Sequence, residues 1–137
     1  MKEFDRIRDE TAPYVNERID REAEGRIAFL KNQGHDAIIK RLAELEREWD
    51  VDRAVMANFA IVGGAAFTAG IKGRKGWLYF FSSQVAFLLL HAVKGWCPPT
   101  TVFRRLGFRS RQEIDAEKFA LLEVLKNEER GEVHGAA

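Results

Sequence analysis

Cys97 is the residue with the clearest chemical potential in this 137-residue chain, and it is the only cysteine. It follows Gly95-Trp96 and precedes Pro98-Pro99, with Lys94, Arg104 and Arg105 close in sequence. Neighbouring cations favour the thiolate and make a thiol more reactive. The C-terminal end of a preceding helix acts in the opposite direction. No second cysteine is present to resolve an oxidised form, and no histidine–carboxylate set lies near in sequence to act as a base. Two readings stay open: a carrier thiol, or a small apolar residue filling a tight turn.

Three polar residues lie within strongly apolar surroundings. Gln84 and His91 are seven apart and share a helix face, and Asn58 lies at matching depth as a partner for the His91 end. Hydrogen bonding between helices is the expected role, with His91 close enough to a helix end to reach water or headgroups. Glu46, Glu48, Asp50 and Asp52 alternate along a helix and so fall on different faces, which reads as a solvated surface. One cysteine and three scattered histidines offer no metal site, and no cofactor motif is visible.

The elements that must position these residues are set by charge. Residues 1–53 carry 11 basic and 14 acidic side chains, and residues 110–137 carry 4 and 7. Residues 54–109 carry 7 basic side chains and no acidic one. Inside that stretch lie two uncharged runs, Ala54 to Ile71 and Gly76 to Val93, each of 18 residues. Eighteen helical residues rise about 27 Å, close to the ~30 Å hydrocarbon thickness of a bilayer. The spacing predicts two membrane spans, at about 54–71 and 76–95, folded into an antiparallel hairpin by Lys72-Gly73-Arg74-Lys75. Trp49, Trp77 and Trp96 stand at the ends of the runs as interfacial anchors, with Arg53, Arg104 and Arg105 beside them. Nine cations on the termini side (Lys40, Arg41, Arg47, Arg53, Lys94, Arg104, Arg105, Arg109, Arg111) against three in the turn place both termini in the cytoplasm. The charged opening MKEFDRIRDE is not a signal peptide. A net charge of +1 suggests no nucleic-acid partner.

Amphipathic helices are expected on both sides. Residues 1–50 show one stripe through Ile7, Thr11, Tyr14, Val15, Ile19, Ile27 and Leu30, and a second through Ile38, Ile39, Leu42, Leu45 and Trp49. Gly25 and Gly34 each permit a break between them. After the hairpin (51–97), residues 98–137 read as a loop, a helix opened by the capping box Ser110-Arg111-Gln112-Glu113, and a polar tail from Asn127. The last helix has the stripe Ile114, Lys118, Leu121, Leu122 and Leu125. Within the first run, Ala60, Gly64 and Thr68 form one small-residue face, and Ala66 and Gly70 a second. One face serves the hairpin itself, and two faces favour further association with a second copy or a partner membrane protein.

The residues from Asp52-Arg53, through the basic turn, to Gly95-Trp96-Cys97-Pro98 and Leu106-Gly107 resemble the YgaP-like transmembrane domain. That family is a two-helix bacterial inner-membrane hairpin, found alone or behind a rhodanese domain. The resemblance covers about residues 50–110, and Gly-x-Cys-Pro is its most specific element. It implies an inner-membrane hairpin with Cys97 at the family's cysteine position. No rhodanese domain is present, so sulfurtransferase activity does not carry over. The chain is therefore expected to be an all-α membrane protein acting as an anchor, scaffold or accessory subunit without catalysis of its own. The alternatives are a thiol or sulfur-handling protein using Cys97 as carrier, and a soluble helical oligomerisation module.

Overall fold

A computed structural model describes residues 4–135. Residues 1–3 and 136–137, the extreme ends of the two flanks, lie outside it. Every element among the described residues is helical.

The N-terminal flank is three helices rather than one or two. α1 (Arg6–Asp9) is capped by Asp5, whose side chain accepts from the Ile7 and Arg8 N–H groups. α2 (Pro13–Lys31) opens on proline, which has no N–H to leave unsatisfied. Gly25 does not interrupt it. Gly34 does end it, because its φ of 92° lies in the left-handed region. α3 (His35–Arg47) then runs back along α8 (Arg111–Gly135). Ile38 and Leu45 of α3 meet Ile114, Leu121 and Leu125 of α8 in a core that Ile27 and Leu30 of α2 help to close. The buried face of α8 differs from the expected stripe. Glu117 takes the inward place assigned to Lys118, and Leu122 is exposed. The expected tail from Asn127 is instead the continuation of α8.

The buried glutamate is tolerable because arginines surround it. Glu117 accepts from Arg26 Nη2 (3.1 Å), Arg41 Nε (2.9 Å) and Arg109 Nη1. Burial pushes its pKa up, but the three guanidiniums win and hold it at about 2. Glu113 likewise receives a two-pronged contact from Arg104 (2.5 and 2.8 Å) and a third bond from Arg8 (2.6 Å). Arg104 and Arg109 are 1% and 4% exposed. They are not interfacial anchors, as their place beside an apolar run suggests. They carry charge from the acid-free stretch to the acidic flank.

The first apolar helix runs Val51–Ile71, three residues earlier than expected, and the second Gly76–Lys94. Asp50 fixes the start of the first by accepting from the Arg53 N–H (2.8 Å), and the Val51 N–H donates to the Arg109 carbonyl (2.9 Å). The first helix consists of α4 (Val51–Asn58), a π-helical turn (Phe59–Gly63) and α5 (Gly64–Ile71). The second, α6, packs along it after the turn at Lys72–Lys75. A side chain on Gly70 would lie 2.5 Å from Leu78 Cδ2 and 3.2 Å from Leu78 N, so Leu78 would have to shift to admit one. Only 6% of the apolar window of α6 and 28% of that of the first helix are buried. Both helices are long and apolar enough to cross a membrane.

Gly95 ends α6 at φ 80°, its N–H donating to the His91 carbonyl (2.8 Å). The segment after it is not a loop. Pro98 and Pro99 occupy the first helical positions of α7 (Pro98–Arg105), where missing N–H groups cost nothing, and Cys97 is its N-cap. The capping box forms as expected: the Ser110 N–H donates to Glu113 (2.8 Å), and the Glu113 N–H donates to Ser110 Oγ (3.2 Å).

Candidate thiol site between the apolar helices and the bundle

Four side chains from three helices converge where the apolar pair meets the polar bundle. Asp52 comes from the first turn of α4 and His91 from the last turn of α6. Cys97 and Thr100 come from the first turn of α7. His91 Nε2 lies 2.7 Å from Asp52 Oδ1, and His91 Nδ1 lies 2.9 Å from Thr100 Oγ1. Thr100 Oγ1 is in turn 2.9 Å from Cys97 Sγ. Cys97, Thr100 and His91 are 2%, 3% and 4% exposed, so the relay is enclosed along most of its length.

Local structure explains the convergence. The Asp50 cap sets the phase of α4, which turns Val51 and Val55 inward and brings Asp52 to His91. Ile7, Val51 and Val55 pack around Cys97, with Leu88, Phe103 and Phe108 behind them. α1 closes the polar side. Arg6 Nη1 donates to the Ala92 carbonyl (2.5 Å), and Arg6 Nη2 stands 3.6 Å from Asp52. A Cβ on Gly95 would come within 2.9 Å of the Arg6 backbone, so this glycine serves both the helix cap and the docking of α1.

The directions of the hydrogen bonds depend on the protonation of His91. The imidazolium donates from both ring nitrogens, whereas in the neutral imidazole an ionised Asp52 accepts from Nε2–H, which leaves Nδ1 as an acceptor. Thr100 then donates to Nδ1, and its oxygen accepts from the Cys97 S–H. Shifting one proton along each of the last two bonds produces a thiolate beside a threonine hydroxyl and an imidazolium held by Asp52. Burial pushes the Cys97 thiol up, but His91 and Thr100 outweigh it and leave the thiol below its ordinary range. The N-terminus of α7 adds to the same direction. The sequence suggested the opposing influence of a helix C-terminus, because α7 was not visible in it.

An open-sided cleft of about 250 Å³ adjoins the sulfur between the two apolar helices. Cys97, Pro98 and Pro99 line its α7 end. Val55, Phe59, Phe80, Phe87 and Leu88 supply most of the wall, with Asn58, Ser83 and Gln84 among them.

Several expectations change. His91 pairs with Asp52 and Thr100, not with Asn58, and it is buried instead of reaching water. Asp50 and Asp52 are a helix cap and a histidine partner rather than a solvated face, and Glu48 binds Arg109 through two bonds of 2.7 Å. Gln84 Oε1 finds no hydrogen-bond partner among the described residues and lies where a Gly63 side chain would meet it at 3.0 Å. The two small faces separate. Ala66 and Gly70 are buried, whereas Ala60, Gly64 and Thr68 are exposed. Trp49 and Trp77 are 47% and 43% exposed, Trp96 is half-buried, and the Arg53 guanidinium lies 4.9 Å from the centre of the Trp49 ring. Arg105 is exposed, and its carbonyl accepts from Arg18 (2.8 Å).

Asp52 and Thr100 are the functional candidates that sequence reasoning passes over. Thr100 carried a usable signal, since Cys-Pro-Pro-Thr has the spacing of a helix N-cap with its third residue. Asp52 lies 39 residues from His91, and no local pattern links them. Comparison with family models, with curated proteins and with solved structures gives no match to this chain.

Proposed function

We propose that this chain is a bacterial inner-membrane protein in which an antiparallel two-span hairpin holds an activated carrier thiol, Cys97, at the cytoplasmic edge of the bilayer. The observation that carries this reading is the Asp52–His91–Thr100–Cys97 relay at the α7 end of an apolar cleft. Membrane residence is supported by the apolar surface that both long helices leave uncovered, and the orientation by the excess of lysine and arginine on the side of the termini, which persists without the buried Arg104 and Arg109. The likeness to YgaP-like hairpins agrees with that placement. As carrier, the Cys97 thiolate attacks a donor group and the leaving group departs with its bonding pair. The proton parked on His91 returns through Thr100.

The scaffold reading is favoured by a different observation. Ala60, Gly64 and Thr68 form an exposed face of small residues, suited to close packing against a second copy or another membrane protein. Anchoring and carriage are compatible in one molecule. A soluble oligomeric module would instead have to cover the apolar faces of both helices with further copies, and solubility without detergent separates it from the other readings.

The test is the pH dependence of Cys97 alkylation by iodoacetamide in lipid vesicles. The expected midpoint lies below the ~8.5 of an ordinary thiol. Thr100→Val, which keeps the shape and removes the hydroxyl, should raise that midpoint and slow alkylation at pH 7 by roughly tenfold. A midpoint at or above the ordinary value, or one that Thr100→Val leaves unmoved, overturns the carrier reading.

A further inference from the structure

Cys97 is set at a particular depth. It follows the Gly95 cap of α6, whose 19 residues rise about 28 Å, nearly the thickness of the hydrocarbon layer. With the hairpin spanning as proposed above, the thiol stands at the boundary between hydrocarbon and headgroups, where the carbonyl carbon of an acyl chain rests while its tail lies in the layer. From that point the cleft descends between the helices. Phe87 is about two turns of α6 below Lys94 and Phe80 about four, which gives a depth of roughly 20 Å. This is the reach of an extended fatty chain.

The lining agrees with a hydrocarbon occupant. It contains no Asp, Glu, Lys or Arg, and rings and aliphatic side chains make up most of it. Ser83 has its hydroxyl engaged by the Phe80 carbonyl (2.7 Å), while Asn58 and Gln84, whose Oε1 has no partner among the described residues, are the polar groups left in the wall. A small sulfur anion would lose its hydration there with no cation in the wall to replace it. At about 250 Å³, the space lies below the usual 300–1,000 Å³ of pockets for drug-sized ligands, so the open-sided cleft takes part of a narrow chain and leaves the rest against lipid.

Resting on the thiol reading above, we propose that the group Cys97 accepts is a long-chain acyl group, delivered as an acyl thioester dissolved in the bilayer surface. The Cys97 sulfur forms a bond to the carbonyl carbon, and the bond from that carbon to the donor sulfur breaks. The donor thiolate leaves with the electron pair and takes the proton that His91 received from Cys97, passed back through Thr100. Nothing is oxidised or reduced. The product is a thioester on Cys97 with its chain laid along Leu88, Phe87 and Phe80.

The experiment uses the full chain in phosphatidylglycerol–phosphatidylcholine vesicles, with palmitoyl-coenzyme A and acetyl-coenzyme A as probes and intact mass as readout. A transmembrane peptide with one interfacial cysteine, in the same vesicles, corrects for the partitioning of each probe. The expected result is one palmitoyl group per chain, removed by neutral hydroxylamine and absent in Cys97→Ser. After correction, palmitoyl transfer should exceed acetyl transfer at least tenfold, and Thr100→Val should slow it about tenfold. Corrected rates that are equal for the two probes, or no acylation while iodoacetamide still reacts below pH 8, overturn the acyl proposal and leave the thiol reading standing. If Cys97 meets neither electrophile faster than the control peptide, the thiol reading itself fails.

Discussion

In the bundle of α2, α3 and α8, two glutamates lie inside a helical core, and the five arginines that touch them (Arg8, Arg26, Arg41, Arg104, Arg109) come from α1, α2, α3, α7 and the turn before α8. In the apolar pair, contact is made by Ala66, Gly70 and Gly63 against α6, and by the Phe59–Phe81 and Phe67–Phe81 ring contacts at 6.0 and 5.3 Å. The bundle can use hydrophobic burial against water and adds buried ion pairs that fix which helix faces which. Under the membrane placement proposed above, helices gain nothing by hiding apolar surface from lipid, so close approach of small residues replaces burial as the source of contact. The relay sits at the seam, with Asp52 and His91 on the apolar helices and Cys97 and Thr100 on the first turn beyond them. Its geometry therefore depends on both kinds of packing.

The sharpest way to break the comparison is to remove the buried anion. Glu117→Gln removes the anion shared by Arg26, Arg41 and Arg109 and leaves Arg41 and Arg109 only their contacts with Glu44 and Glu48, which should destabilise the bundle by about 3 kcal/mol. Limited proteolysis in detergent should then cut α2, α3 and α8 while the two apolar helices stay protected. Simultaneous loss of both regions would show that they form one cooperative unit.

Acid should separate the regions in the unmodified protein. The folded-state pKa of Glu117, about 2, lies below the ordinary value of 4.5. Its contribution is therefore fully present above pH 4.5 and is lost as pH falls towards 2, on the order of 3 kcal/mol in all. Circular dichroism should show the bundle unfolding in that window while the apolar helices, which hold neither glutamate, keep their signal.

The smallest effect belongs to the glycines. Gly70→Ala presses on Leu78 and should destabilise the apolar pair by about 1–3 kcal/mol. Gly64→Ala meets nothing within 4 Å and should be neutral or slightly stabilising within one chain. Resistance to unfolding by a denaturing detergent measures both. Equal effects would mean that a second copy packs on the Gly64 face.

Features that depend on neighbours in sequence were legible. The two apolar runs, the capping box at Ser110 and the inward Ile38, Leu42 and Leu45 of α3 follow from local pattern, whereas Ile39 and Trp49 of the same expected stripe are exposed. The π-turn at Phe59–Gly63 was not legible, since nothing in Phe-Ala-Ile-Val-Gly distinguishes it from an ordinary helical turn. Arg104 and Arg109 misled for a physical reason. A cation beside an apolar run looks like a headgroup anchor until an acidic helix is known to pack against it.

The amino-acid sequence by itself determined where charge is forbidden and so where the two apolar helices lie. It also placed one thiol just past the end of the second. Tertiary structure alone decided that Asp52, His91, Thr100 and Cys97 meet. Hydrogen bonds between side chains act over about 3 Å in space, and the separation of their partners along the chain, here up to 39 residues, leaves no periodic trace. The same holds for Glu113 and Glu117, whose burial becomes affordable only when the fold delivers arginines from distant segments.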